Sequence, residues 1–150
     1  MADYAGLLAI SATGMRAERM RLEVASQNLA NAHSVVGPQD QPYRPMRAVP
    51  HAAQAGLFEQ KLTGTGQADA LLRGVDRVEV VPTGGEPRLD HDPGNPLADE
   101  HGLVRVPDIN VGDEMLTVLS SVRAYEADVR AMNAAKSIAL RALDIGSSRS

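Results

Sequence analysis

The stretch VGDEMLTVLSSVRAYEADVRAMNAAKSIALRAL, residues 111–143, decides the fold. Val111, Met115, Val118, Val122, Tyr125, Val129, Met132, Lys136, Ala139 and Leu143 follow one another at alternating steps of four and three, and only Lys136 is polar. That is a heptad a/d seam held for almost five repeats, the pattern of a helix that packs along a narrow line. Asp108 or Asn110 can cap its start, with Asp113 and Glu114 in the first turn favoured by the helix dipole. Gly146, followed by two serines, stops it. At 1.5 Å per residue the helix is roughly 50 Å long, more than a chain of 150 residues can cover alone.

The N-terminal segment repeats the idea with a thinner seam. Leu8, Met15, Leu22 and Leu29 recur every seven residues, alternating with Ala5, Ala12, Arg19 and Ser26. Gly6 and Gly14 each weaken such a helix by about 1 kcal/mol relative to Ala. Packing, more than propensity, stabilises helices in proteins, so this segment needs a partner. Two arrangements follow: the two helices pair only with each other, or their seams also meet neighbouring subunits.

Between the helices the chain changes character. All nine prolines lie between Pro38 and Pro107, and none falls in 1–32 or beyond 107. Three parts result: an N-terminal helix over 1–32, a Gly/Pro-rich β/loop module over 33–107, and a C-terminal helix over 108–150. Strand-like runs occur at Tyr43–Val49, Leu57–Leu62, Val75–Val81 and Leu103–Val106, joined by turn signals at Gly84-Gly85 and Asp92-Pro93-Gly94-Asn95-Pro96. The expected class is mainly α, with long terminal helices forming a coiled-coil-like pair around a small irregular β-rich centre.

Composition agrees with a thin core. There are 22 alanines, one Phe, three Tyr and no Trp, whereas a compact domain of this size normally buries several aromatics. The net charge of −4 suggests no nucleic-acid surface, and the absence of Cys excludes a disulfide scaffold, a zinc finger and a thiol nucleophile. No apolar run reaches the ~18 residues of a membrane span, and the N-terminus lacks the basic start and apolar core of a cleavable signal.

The sequence carries no recognisable catalytic constellation, cofactor site or metal site. His91, Asp92, Asp99, Glu100 and His101 lie close together, but their spacing matches neither an EF-hand nor a His-x-x-x-His pair, and a solvated turn is expected. Gly64-Thr65-Gly66 lacks the rest of a phosphate loop, and no Gly-x-Ser-x-Gly elbow is present. Two segments stand out instead. Ser26–Ala32 puts Gln27, Asn28 and Asn31 at a helix end, where carboxamides can bond free carbonyls. Arg123-Ala-Tyr-Glu-Ala127 sets an aromatic on the seam between two charges.

These segments carry a resemblance. Ile10-Ser-Ala-Thr-Gly-Met-Arg-Ala17 and Ser26-Gln-Asn-Leu-Ala-Asn-Ala32 resemble the N-terminal signature of bacterial flagellar axial proteins. Asp92-Pro-Gly-Asn-Pro-Leu-Ala-Asp-Glu-His-Gly102, Val104-Arg-Val-Pro-Asp-Ile-Asn-Val111, Arg123-Ala-Tyr-Glu-Ala127 and Lys136-Ser-Ile-Ala-Leu-Arg-Ala-Leu-Asp-Ile-Gly146 are similar to the proximal-rod subunit family of the flagellar basal body, the FlgC family. The resemblance covers about two-thirds of the chain; the middle, 33–74, is more Gly- and Ala-rich than the family.

It implies a structural, non-enzymatic rod subunit that assembles helically and transmits motor torque, located in the periplasm-spanning rod. The implied partners are proximal and distal rod subunits, the export-gate adaptor, copies of the chain itself and the flagellar type III export apparatus. No nucleic acid and no direct membrane insertion are implied, and export proceeds without a cleavable signal peptide. The residues expected at subunit interfaces are Leu8, Met15, Leu22, Asn28, Leu29 and Asn31 on the first helix. On the second they are Val111, Met115, Val118, Val122, Tyr125, Val129, Met132, Lys136 and Leu143, with Lys136 selecting register. The competing class is a soluble coiled-coil adaptor or secreted interaction protein.

Overall fold

The computed structural model of the chain describes residues 4–53, 74–83 and 85–147. Two helices enclose four short strands in the order α1 (Tyr4–Asn31), β1 (Met46–Ala52), β2 (Val75–Pro82), β3 (Arg88–His91), β4 (Leu103–Val106) and α2 (Val111–Ser147). The class is mainly α with a small β module. Both helices stand where the heptad spacing puts them, and α2 starts at the first seam residue.

Asn110, not Asp108, caps α2. Its Oδ1 accepts from the backbone N–H groups of Gly112 at 3.0 Å and Asp113 at 3.4 Å, and its carbonyl takes the first helical bond, from Glu114 at 3.1 Å. Asp108 instead lies 3.7 Å from Arg88. At the other helix end Asn31 closes α1, its Nδ2 donating back to the Gln27 carbonyl at 2.8 Å. Its own carbonyl accepts from both the backbone N–H and the hydroxyl of Ser34.

The strands form two two-stranded sheets, β1–β2 and β3–β4. β4 occupies the expected residues, and β2 runs one residue further than expected. β1 is displaced toward its C-terminus, from the expected Tyr43–Val49 to Met46–Ala52. Pro42 and Pro45 explain the shift: neither has an N–H to give to a ladder. The carbonyl of Pro45 still serves, accepting from the N–H of Thr83 at 2.8 Å and from its hydroxyl at 2.9 Å. Pro50 is tolerated inside β1 because that strand pairs on one side only. The run Leu57–Leu62 lies outside the described residues. β3 was not expected, since Arg-Leu-Asp-His has no β-branched residue; its strand geometry comes from pairing with β4, Leu89 opposite Arg105 and Asp90 opposite Val104. Gly102, with φ +72°, closes the turn between them in a conformation that side chains rarely adopt.

The described residues divide into two compact units. One contains Arg21–Val49 and Val80–Ser120. Its buried apolar set is Val24, Ala25, Ala32, Ala48, Val104, Val106 and Ile109, a core of valines and alanines with a single isoleucine. An antiparallel bridge between Val36 and Arg105 ties the segment after α1 to β4. The other unit takes Met1–Met20, Pro50–Glu79 and Ser121–Ser150. Among its described residues Ala17 and Ser121 are buried, so its helices meet through small side chains. There the Thr13 hydroxyl bonds the Ile10 carbonyl and receives the N–H of Val75 at 3.0 Å, fixing the start of β2 against α1.

Candidate assembly interface

Asn28 is the polar centre of its unit. It is 1% exposed, and its carboxamide has all four hydrogen-bonding positions filled. Oδ1 accepts from the Tyr43 hydroxyl at 2.9 Å and from Met46 N–H at 3.0 Å. Nδ2 donates to the Met46 carbonyl at 2.8 Å and to Glu114 Oε1 at 3.0 Å. The two bonds to one backbone residue determine which end of the amide is oxygen. One side chain therefore joins α1, β1 and the first turn of α2. Burial, and then the neighbouring Glu114 charge, push the Tyr43 hydroxyl above its ordinary pKa, so the phenol stays a donor.

The long helix α2 has two unlike sides. The buried Ser121 lies in a small or polar stripe with the half-buried Thr117, Ala124, Asp128 and Ala135, and the bulkier Val118, Val129 and Met132 are half-buried at its edge. Gly14 faces this stripe: a Cβ there would stand 2.7 Å from Asp128 Oδ2, so the glycine makes room for the carboxylate. Desolvation, and then Glu18 nearby, raise the pKa of Asp128. The hydroxyl of Ser121 is buried with no hydrogen-bond partner. At about 100° per residue the heptad seam lies roughly a quarter turn away from this stripe. Bulky side chains on that flank face outward: Met115 is 61% exposed, Val122 38%, Tyr125 42% and Leu143 69%.

The β3–β4 turn is tied to itself. Asp99 Oδ1 accepts from His101 N–H and Leu103 N–H, both at 2.8 Å, and the Leu103 bond leads in holding this carboxyl below the usual range. Asp92 Oδ2 accepts from Asn95 Nδ2 at 3.2 Å. Asp92 and Asp99 thus serve the turn's own backbone and side chains.

A chain built around one capped 37-residue helix with an outward apolar flank is close in sequence to rod proteins. It is 37% identical to the flagellar basal-body rod protein FlgC of Salmonella typhimurium over 137 residues, which cover 91% of this chain and 93% of that one. The figures are the same for the FlgC protein of Escherichia coli O157:H7. For that of Bacillus subtilis, identity is 33% over 146 residues, covering 93% and 95%. The chain belongs to the FlgC family. No protein-family model matches it.

As a FlgC-family member the chain is a structural subunit of the flagellar basal-body rod and not an enzyme, and the soluble-adaptor alternative is set aside. No helix among the described residues is long and apolar enough to cross a membrane. The expected interface residues fall into three environments. Asn28 is buried inside its own unit, a role that reading it as a helix-end carboxamide missed. A carboxamide three residues before the helix end, facing inward beside Ala25, was the available signal. Leu8, Met15, Leu22, Leu29, Asn31, Val111, Val118, Val129 and Met132 are half-buried. Met115, Val122, Tyr125, Lys136 and Leu143 are exposed.

Proposed function

We propose that this FlgC-family chain joins the proximal rod by burying the bulky flank of α2 against helices of neighbouring subunits in coiled-coil-like packing, with α1 alongside. The observation that carries this reading is the exposure of Met115, Val122, Tyr125 and Leu143 on a helix whose one fully buried side chain, among the described residues, is the small Ser121. Large apolar side chains left in a row on a soluble surface mark an interaction site. The neighbours are other proximal- and distal-rod subunits, the adaptor at the export gate and further copies of the chain. Delivery is through the flagellar type III export apparatus without a cleavable signal, to a rod that crosses the periplasm and carries motor torque. The subunit's mechanism is mechanical: stiff helices side by side resist twisting.

Val122→Asp tests it. An unpaired carboxylate in a desolvated helix interface is strongly unfavourable, while in the free chain the side chain remains in water. Export of the variant should continue, with rods absent and the cells non-motile. A motile strain carrying Val122→Asp would overturn the assigned face.

A further inference from the structure

We infer that the β3–β4 hairpin of one copy docks on a second face of α2 in another copy: the row formed by Arg123, Arg130, Ile138 and Arg141. This goes beyond the bulky flank and rests only on the reading that several copies stand together in the rod. Arg123, Arg130 and Arg141 are spaced by seven and eleven residues, close to two and three helical turns, and so line up along one side. Ile138, 55% exposed, lies beside them. Glu126 sits to the side of this row, 3.6 Å from Arg130.

The tip of the hairpin is complementary in charge, while Arg88 and Arg105 on its strands meet Asp108 and the carbonyls of Pro38 and Asp40. From Leu89 to Val104 it carries Asp90, Asp92, Asp99 and Glu100 and no Lys or Arg. Leu97 stands 47% exposed in the turn. Asp92 is engaged by Asn95, Asp90 Oδ1 by the N–H of His91, and Asp99 by two backbone groups, which leaves Glu100 as the acid to meet an arginine. Further bonds, Asp92 N–H to the Gly102 carbonyl at 2.9 Å and Leu97 N–H to Asn95 Oδ1 at 3.1 Å, hold the turn in one shape. Little ordering entropy is then lost on docking. An apolar residue beside an acid meets an apolar residue beside arginines. The two surfaces differ, so the contact is head-to-tail and continues from copy to copy instead of closing a dimer.

The absence of native cysteine makes the test direct. Leu97→Cys and Ile138→Cys chains are co-expressed in a strain lacking the native copy, and purified basal bodies are oxidised. A disulfide-linked dimer containing one of each chain is expected. Glu100→Arg added to the first chain should lower its yield by about tenfold, and Arg141→Glu added to the second should restore it. Absence of the mixed dimer, dimers of like chains only, or failure of the paired reversal to restore the yield would each overturn the docking. If the cysteine strains swim, those outcomes leave the α2 flank reading standing. That reading fails separately, by motility of the Val122→Asp strain.

Discussion

Replacing Asn28 by Ala removes a side chain that is 1% exposed and makes four hydrogen bonds. Two partners, the Tyr43 hydroxyl and the Glu114 carboxylate, are half-buried and regain water in the variant. The N–H and carbonyl of Met46 stay beneath α1 and lose their partners. At about 1–3 kcal/mol for each buried group left unmade, with partial rehydration, the loss is about 3 kcal/mol. For a chain of this length that lowers the melting temperature by about 6–12 °C. Circular dichroism at 222 nm against temperature and urea measures it. Asn31→Ala is the control: its exposed bond to the Gln27 carbonyl is worth about 0.5 kcal/mol. A double-mutant cycle of Asn28→Ala with Tyr43→Phe should give a coupling near 1 kcal/mol. In Asn28→Asp, a carboxylate faces the Met46 carbonyl and Glu114, which raises its folded pKa. Its stability is therefore greatest below the unfolded value of about 4 and falls as pH rises. If Asn28→Ala melts within error of Asn31→Ala, the network does not hold the unit together.

Three further outcomes follow from α2. Burial and Glu18 raise the pKa of Asp128, so the fold favours its protonated form. That contribution is complete below the unfolded pKa of about 4 and lost as pH rises through the folded one, so Asp128→Asn should exceed the native chain in stability at pH 7, with the gap closing toward pH 3 in urea titrations. Ser121→Ala removes a buried hydroxyl without a partner and improves helix propensity, and should stabilise by up to about 1 kcal/mol in the same titrations. Lys136→Leu removes the one polar residue of the seam; association should be at least as tight but in mixed oligomers, with poor rods on electron microscopy, and normal rods would refute a register role.

The helices were legible because a seam of ten residues at steps of four and three has one structural meaning. What periodicity could not disclose is which side of α2 meets its own chain. Val122 and Ser121 are adjacent in sequence, about 100° apart on the helix. The deepest own-chain contact is on the serine side, where Gly14 and Ala17 let α1 approach, and the seam residues Val118, Val129 and Met132 are only half-buried at its edge. Heptad reasoning assigns bulky residues to the contact and passes over small ones. β4 was readable from Leu-Val-Arg-Val, whereas Arg-Leu-Asp-His became β3 through a partner 15 residues along, information that no local propensity contains. The sequence marks Asn28 only as a helix-end amide; its role depends on Met46 and Glu114, 18 and 86 residues away.

The central claim, that the bulky flank of α2 is covered in the rod, is tested most directly by thiol accessibility. Single cysteines at Met115, Val122 and Leu143 are reacted with a maleimide in the free chain and in purified basal bodies, with Arg47→Cys, an exposed position on β1, as reference. All three flank positions should label readily in the free chain and be protected in the rod, relative to the reference. Equal labelling of the flank in both states would contradict the account.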